Sequence, residues 1–226
     1  MKTYTFKVLL FGLALLGLGT AYHRSARQLP NLTNKTNAVE IISLLPTKNG
    51  YKLTLRNVST KNINGYSIGF GKGAIVTADL TSAYQLIAPG DQFTEDLPEA
   101  TNIVIRHVIF EDDSIDGDAA AAAEQQDRRA GMREQLERIV PLVNAATESA
   151  DVVQLKAQLQ ALPEESAAGR SVYVAAGMRN AKEDALLEVE KLDKSNIQAG
   201  LMRLSEQNSR HMMRLQTKRV NPSPHL

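Results

Sequence analysis

Tyr51-Lys52-Leu53-Thr54-Leu55-Arg56 places Tyr51, Leu53 and Leu55 on one face of an extended chain and Lys52, Thr54 and Arg56 on the other. Side chains of a strand alternate between faces, so this period of two predicts a strand with one buried face. A different regime opens at Ala119 to Ala123, a run of the strongest helix former. It is followed by Met132, Leu136, Ile139, Val140 and Val143, spaced as one face of a helix. The period changes near Asp118, which predicts an α+β protein in two parts.

Working outward from Tyr51, short apolar or alternating runs occupy Val39 to Leu45, Tyr51 to Val58, Tyr66 to Phe70, Ile75 to Leu80, Tyr84 to Ile87 and Ile103 to Phe110. Lys48-Asn49-Gly50, Asn64-Gly65 and Pro89-Gly90 interrupt them as turns. Short strands at this spacing predict an antiparallel β-sandwich over residues 38–117. Aromatic residues mark the same boundary: of 11 Phe and Tyr, six lie between 51 and 110 and only Tyr173 follows 118. Residues 118–220 are read as an α-helical hairpin or small bundle, with further helices at Val152 to Leu162, Ser171 to Leu192 and Asn196 to Arg219. Pro141 is expected to kink or break the first helix.

The run Leu53 to Tyr66, with Asn57-Val58-Ser59 leading into a turn, is followed by Ile87-Ala88-Pro89-Gly90-Asp91 and by Ile103 to Asp112. Together these resemble immunoglobulin-like sandwich modules of uncharacterised exported bacterial proteins. The resemblance covers about residues 38–113 and implies a fold rather than an activity. The helical part resembles no family.

Lys2 and Lys7, the apolar run Val8 to Leu18 and the small residues Gly19-Thr20-Ala21 have the three-part order of a secretory signal peptide over residues 1–21. The rival reading is an uncleaved inner-membrane anchor, against which stand the 15 residues from Val8 to Tyr22, short of the roughly 20 that span a bilayer. Membrane contact is expected only if this segment is uncleaved. Residues 22–37 are polar and aperiodic and read as a linker, and 221–226 as a disordered tail. Cysteine is absent from the 226 residues, which excludes disulfides, thiolate zinc sites and Cys nucleophiles. An exported chain held together by burial alone points to a bacterial periplasmic or secreted protein. Lys and Arg number 26 against 25 Asp and Glu, a balance that disfavours nucleic acid as a partner.

Few motifs carry chemistry. Gly65-Tyr66-Ser67-Ile68-Gly69 matches a G-x-S-x-G nucleophile pattern, but that motif needs a helix after the serine, and Gly69-Phe70-Gly71-Lys72-Gly73 cannot propagate one. Ser67 is expected on the solvent face of a strand. Asp112, Ser114 and Asp116, followed by Gly117, reproduce the start of a calcium loop. Ala123 stands where its chelating glutamate belongs, with Glu124 one residue late. The competing reading is an acidic turn in which Asp116 or Asp118 caps the alanine-rich helix. His107 shares a strand face with Ile103, Ile105 and Ile109 and reads as a satisfied or edge histidine. In the last helix Ile197, Leu201, Leu204, Asn208, His211 and Leu215 form a heptad-like seam, for an intramolecular hairpin or a coiled coil with a partner. Arg203, Arg210, Arg214, Lys218 and Arg219 there face only Glu206. The expectation is an exported, non-enzymatic interaction or structural protein of the cell envelope with no catalytic residues. A calcium-dependent binding module, or a hydrolase with its site near Asp112–Asp118 or Ser67, is the alternative.

Overall fold

The computed structural model describes residues 29–71, 73–81, 86–164, 170–192 and 195–215; the signal peptide, residues 22–28 of the linker and the C-terminal tail read from the sequence lie outside them. Among the described residues are eight strands and four helices. The strands are β1 (Asn31–Asn34), β2 (Val39–Thr47), β3 (Gly50–Asn57), β4 (Ile63–Phe70), β5 (Ala74–Asp79), β6 (Gln92–Pro98), β7 (Asn102–Phe110) and β8 (Ile115–Gly117). The helices are α1 (Ala119–Ser149), α2 (Val152–Ala161), α3 (Val172–Glu190) and α4 (Ile197–Arg214).

Two sheets form. One is three-stranded in the order β2-β3-β6, and the other runs β1-β7-β4-β5, with β8 also paired to β7. Tyr51, Leu53 and Leu55 of β3 are buried as their period of two requires, in one apolar cluster with Ile63, Tyr66 and Ile68 of β4 and Ile103, Ile105, Val108 and Phe110 of β7. Burying such a side chain contributes about 1.5–3 kcal/mol each. Asn57 ends β3 fully buried and satisfied: its amide donates to the carbonyls of Lys61 (2.8 Å) and Ile87 (2.9 Å), and its oxygen accepts from the Ser59 amide (3.0 Å).

Three strands, β1, β6 and β8, are additions to the sequence reading. β6 lacks apolar alternation because Glu95 occupies an inward position between Phe93 and Leu97, and it is tolerated there because the Tyr66 hydroxyl donates to it. Burial, and then Glu95, pushes the Tyr66 phenol well above its ordinary value. β1 corrects the linker: Asn31 to Asn34 pair in parallel with Asn102 to Ile105. Its Asn-rich sequence carries no strand signal, and the partner edge supplies the order. Of the strand expected at Tyr84 to Ile87, residues 84 and 85 lie outside the described set, and Ile87 makes a single bridge to Ile63.

Asp118 caps α1 by accepting from the Ala121 amide at 3.1 Å, as the competing reading of the acidic turn anticipated. Pro141 does not end α1, which runs to Ser149. Pro141 and Glu137, whose carbonyl the proline leaves without an amide partner, are both exposed, so water can satisfy the freed group. α1 and α3 approach through glycines. A Cβ on Gly131 would lie 1.9 Å from the Val174 carbonyl oxygen, and one on Gly177 would lie 1.9 Å from that of Arg128. The helices bury a second apolar cluster, including Leu136, Ile139, Val143, Leu155, Leu159, Ala185, Leu201 and Leu204. The seam of α4 therefore packs within its own chain at Leu201, Leu204 and Leu215. None of the described helices is long and apolar enough to cross a membrane.

Candidate functional site

Polar side chains gather where α1 lies on the outer face of the larger sheet. Their placement begins with two bulges. On β7, Ile105 pairs with Ile68 and His107 with Ser67, so Arg106 is an extra residue and the alternation of faces shifts. Ile103, Ile105, Val108 and Phe110 then face the apolar cluster, while His107 turns to the other side. This corrects the expected grouping of His107 with Ile103 and Ile105. On β4 the extra residue is Asn64, between Ile63 and Gly65 in the pairing with β7.

From α1, Ala121, Gln125 and Arg129 recur every fourth residue and are buried. They extend N-terminally the stripe of Met132 and Leu136, so a helix face that is apolar along the bundle becomes polar over the sheet. Gly65 makes the approach possible: a Cβ there would lie 2.6 Å from an Arg129 nitrogen and 2.7 Å from Gln125 Nε2. Arg129, 5% exposed, donates from Nε to Asp79 Oδ2 at 3.0 Å and from Nη2 to Asp79 Oδ1 at 3.2 Å. The same Nη2 donates to the Asn64 carbonyl at 2.9 Å and to its side-chain oxygen at 3.1 Å. Gln125 Nε2 donates to the Ala78 carbonyl at 3.0 Å.

His107 is 1% exposed, with Nε2 at 2.8 Å from Gln125 Oε1. Burial lowers its pKa, the Gln125 hydrogen bond opposes that, and the Arg106 charge adds to it. Across the β4–β7 ladder its neighbour is Ser67, 2% exposed. Ser67 does lie on the outer face, but α1 covers that face, so the expectation of solvent exposure is corrected. α4 adds His211, whose Nε2 lies 3.4 Å from Thr81 Oγ1, and Arg214, which donates to the Thr81 carbonyl at 3.3 Å. Burial also lowers the His211 pKa. Of the other basic residues there, Arg210 pairs with Glu206, and Lys218 and Arg219 lie outside the described residues.

The acidic candidates are placed differently. Asp112 accepts from Lys61 Nζ at 2.7 Å and from the Ser114 amide and hydroxyl. The Lys61 hydrogen bond, with Ser114, holds the Asp112 carboxyl down to about 2. Asp116 sits in β8 opposite Val108, and its Oδ2 accepts from the Asn37 and Ala38 amides, both at 2.6 Å. Gly117, at φ 107°, pairs with His107 in the same strand. Asp112 and Ser114 are thus brought together in a turn beside Lys61, whereas the Asp116 carboxylate fastens the chain between β1 and β2. Among the described residues no group of three or more His, Asp or Glu is placed to hold a metal ion.

Sequence reasoning missed Gln125 and Arg129, and it read Asn64-Gly65 as a turn where the structure has a bulge inside β4. One signal was available: Gln125 and Arg129 continue the apolar stripe of α1 at spacings of 4 and 3 before Met132, and polar residues on a buried stripe need partners. Comparison with protein families, with curated proteins and with solved structures finds no match.

Proposed function

We propose that this chain is an exported, non-enzymatic interaction or structural protein of the bacterial cell envelope, with an immunoglobulin-like sandwich as its β part and the helices as the region that meets a partner. The observation that carries this reading is the polar joint. Across the boundary between sheet and helix Arg129 is bonded to Asp79 and Asn64, and Gln125 to His107, an arrangement that ties the two layers together. The sandwich reading is supported by strand order. β2-β3-β6 against β8-β7-β4-β5 corresponds to a three-stranded sheet of first, second and fifth strands facing one built on the third, sixth and seventh. β1 is then an addition at the edge. The exported location is supported by Lys2 to Ala21.

The test expresses the whole chain in a bacterial host and fractionates it. The expected product is periplasmic or envelope-bound and begins at or within a few residues of Tyr22. A cytoplasmic product retaining Met1 overturns export. A photo-crosslinker at Val153 or Met202, both exposed on helices, is expected to give discrete adducts with an envelope protein. Absence of adducts at every exposed helical position overturns the partner role.

A further inference from the structure

A cleft of about 310 Å³ opens between the outer face of the larger sheet and helices α1 and α3. The sheet contributes Ser67, Thr77 and Arg106 to its lining, and the helices contribute Glu124, Arg128 and Tyr173. Arg106 is the extra residue of the β7 bulge, and its side chain lies over Gly69, where a Cβ would meet its Cδ at 3.5 Å. Arg128 stands with its guanidinium carbon 6.0 Å from the Tyr173 ring centre, and its Nε is buried without a hydrogen-bond partner. Arginines 129, 133, 138, 170, 179 and 210 all have carboxylate partners. Among the described residues Arg106 and Arg128 form no such ion pair, although they line the same cleft; the Arg106 charge acts on Asp118 only at longer range.

We propose that this cleft binds a small carboxylate. A guanidinium presents a planar fork that matches a carboxylate with two parallel hydrogen bonds, and here two such forks lie beside the hydroxyls of Ser67 and Thr77. Glu124 sets the charge selection: two cations against one anion leave room for a single negative charge and repel a second. The adjoining cleft strengthens that repulsion, because it shares Thr77 and Arg128 and carries Glu183 and Asp184. Specificity built from repulsion of the wrong ligand is a general device. The proposal does not rest on export or on the non-enzymatic reading, and either can fail without the other.

The test follows the arginine Nε–H resonances of the ¹⁵N-labelled full chain during titration with acetate, lactate and inorganic phosphate at constant ionic strength, with chloride as control. Acetate or lactate is expected to shift the Arg106 and Arg128 signals saturably, at roughly millimolar concentration or below. Arg106→Gln and Arg128→Gln are expected to weaken that binding by about tenfold or more. Glu124→Gln is expected to strengthen phosphate binding more than lactate binding. No saturable shift with either carboxylate overturns the proposal, as does binding that survives in the double arginine variant or phosphate binding tighter than both carboxylates in the unmodified protein. Should Arg128→Gln fail to fold, Arg106→Lys and Arg106→Gln carry the same comparison.

Discussion

Gln125 fixes the tautomer of His107. Its Nε2 donates to the Ala78 carbonyl, so its Oε1 is the atom facing the imidazole at 2.8 Å, and His107 must donate from Nε2. Nδ1 is left as a bare acceptor, buried without a partner. A second proton would have to go to that site.

Stability is therefore expected to depend on pH in a defined direction. The unfolded imidazole titrates near 6.5, and burial holds the folded one lower. Between the two values the unfolded state binds more protons, so stability is complete above about 6.5 and falls as pH drops through it, levelling off below the folded value. His211 acts in the same direction. Each group contributes at most about 1.4 kcal/mol per pH unit. Thermal melts between about pH 7.5 and 5 should show a falling midpoint, and His107→Gln should flatten the slope. A midpoint independent of pH would sink the argument.

Arg129→Met should be among the most damaging single changes. It removes both bonds to Asp79 and both to Asn64. Removing one partner of a buried ion pair costs about 3–5 kcal/mol, and Asp79 keeps some solvent contact, which favours the lower end. Urea denaturation measures it. Pairing the change with Asp79→Asn should recover part of the loss, because the stranded charge is then gone.

Gly131→Ala opposes two effects. Alanine favours a helix by about 1 kcal/mol over glycine, yet its methyl would occupy the place of the Val174 carbonyl. Forcing packed elements apart costs roughly 1–3 kcal/mol or more. A lower melting temperature is expected, and since Gly177 faces the same contact from α3, the double change should cost less than the two singles combined. An unchanged or raised melting temperature would contradict the close approach.

Leu204→Asp separates a seam inside the chain from one between chains. Leu204 is 4% exposed within the monomer, so a buried charge should lower the melting temperature of the helical part. Light scattering should give the same mass before and after. A dimer that becomes a monomer would show that α4 also serves a neighbouring copy.

For the acidic turn, Asp116→Ala is expected to destabilise the protein by about 0.5–1.5 kcal/mol through the bonds to the Asn37 and Ala38 amides that it removes, whether or not calcium is present. Calorimetry with calcium is expected to show nothing tighter than roughly millimolar. Micromolar binding abolished by this substitution would restore the calcium reading.

Where local pattern and tertiary packing agree, the chain could be read directly. Tyr51 to Arg56 is a strand by its alternation alone, and Leu136 to Val143 a helix by its stripe. The failures share a cause. Arg106 inserts one residue into a strand, and every later side chain changes face, which no periodicity count detects in advance. Glu95 breaks an alternation that Tyr66, 29 residues away, makes good. Asn31 to Asn34 have no strand character of their own and take it from β7. The polar joint was hidden because Gln125 and Arg129 look like an exposed helix start until the sheet is placed beneath them.

β1 also decides how the molecule would carry load. Its parallel ladder with β7 is drawn lengthwise by a pull on the N-terminal segment, so its bonds share the force and break together rather than one after another. β8 lies along the same edge of β7 and leads into α1, and Lys35, just past β1, pairs with the Asp118 that begins that helix. Tension entering ahead of Asn31 would reach the helices through this edge while the β2-β3-β6 sheet stays out of the line of force.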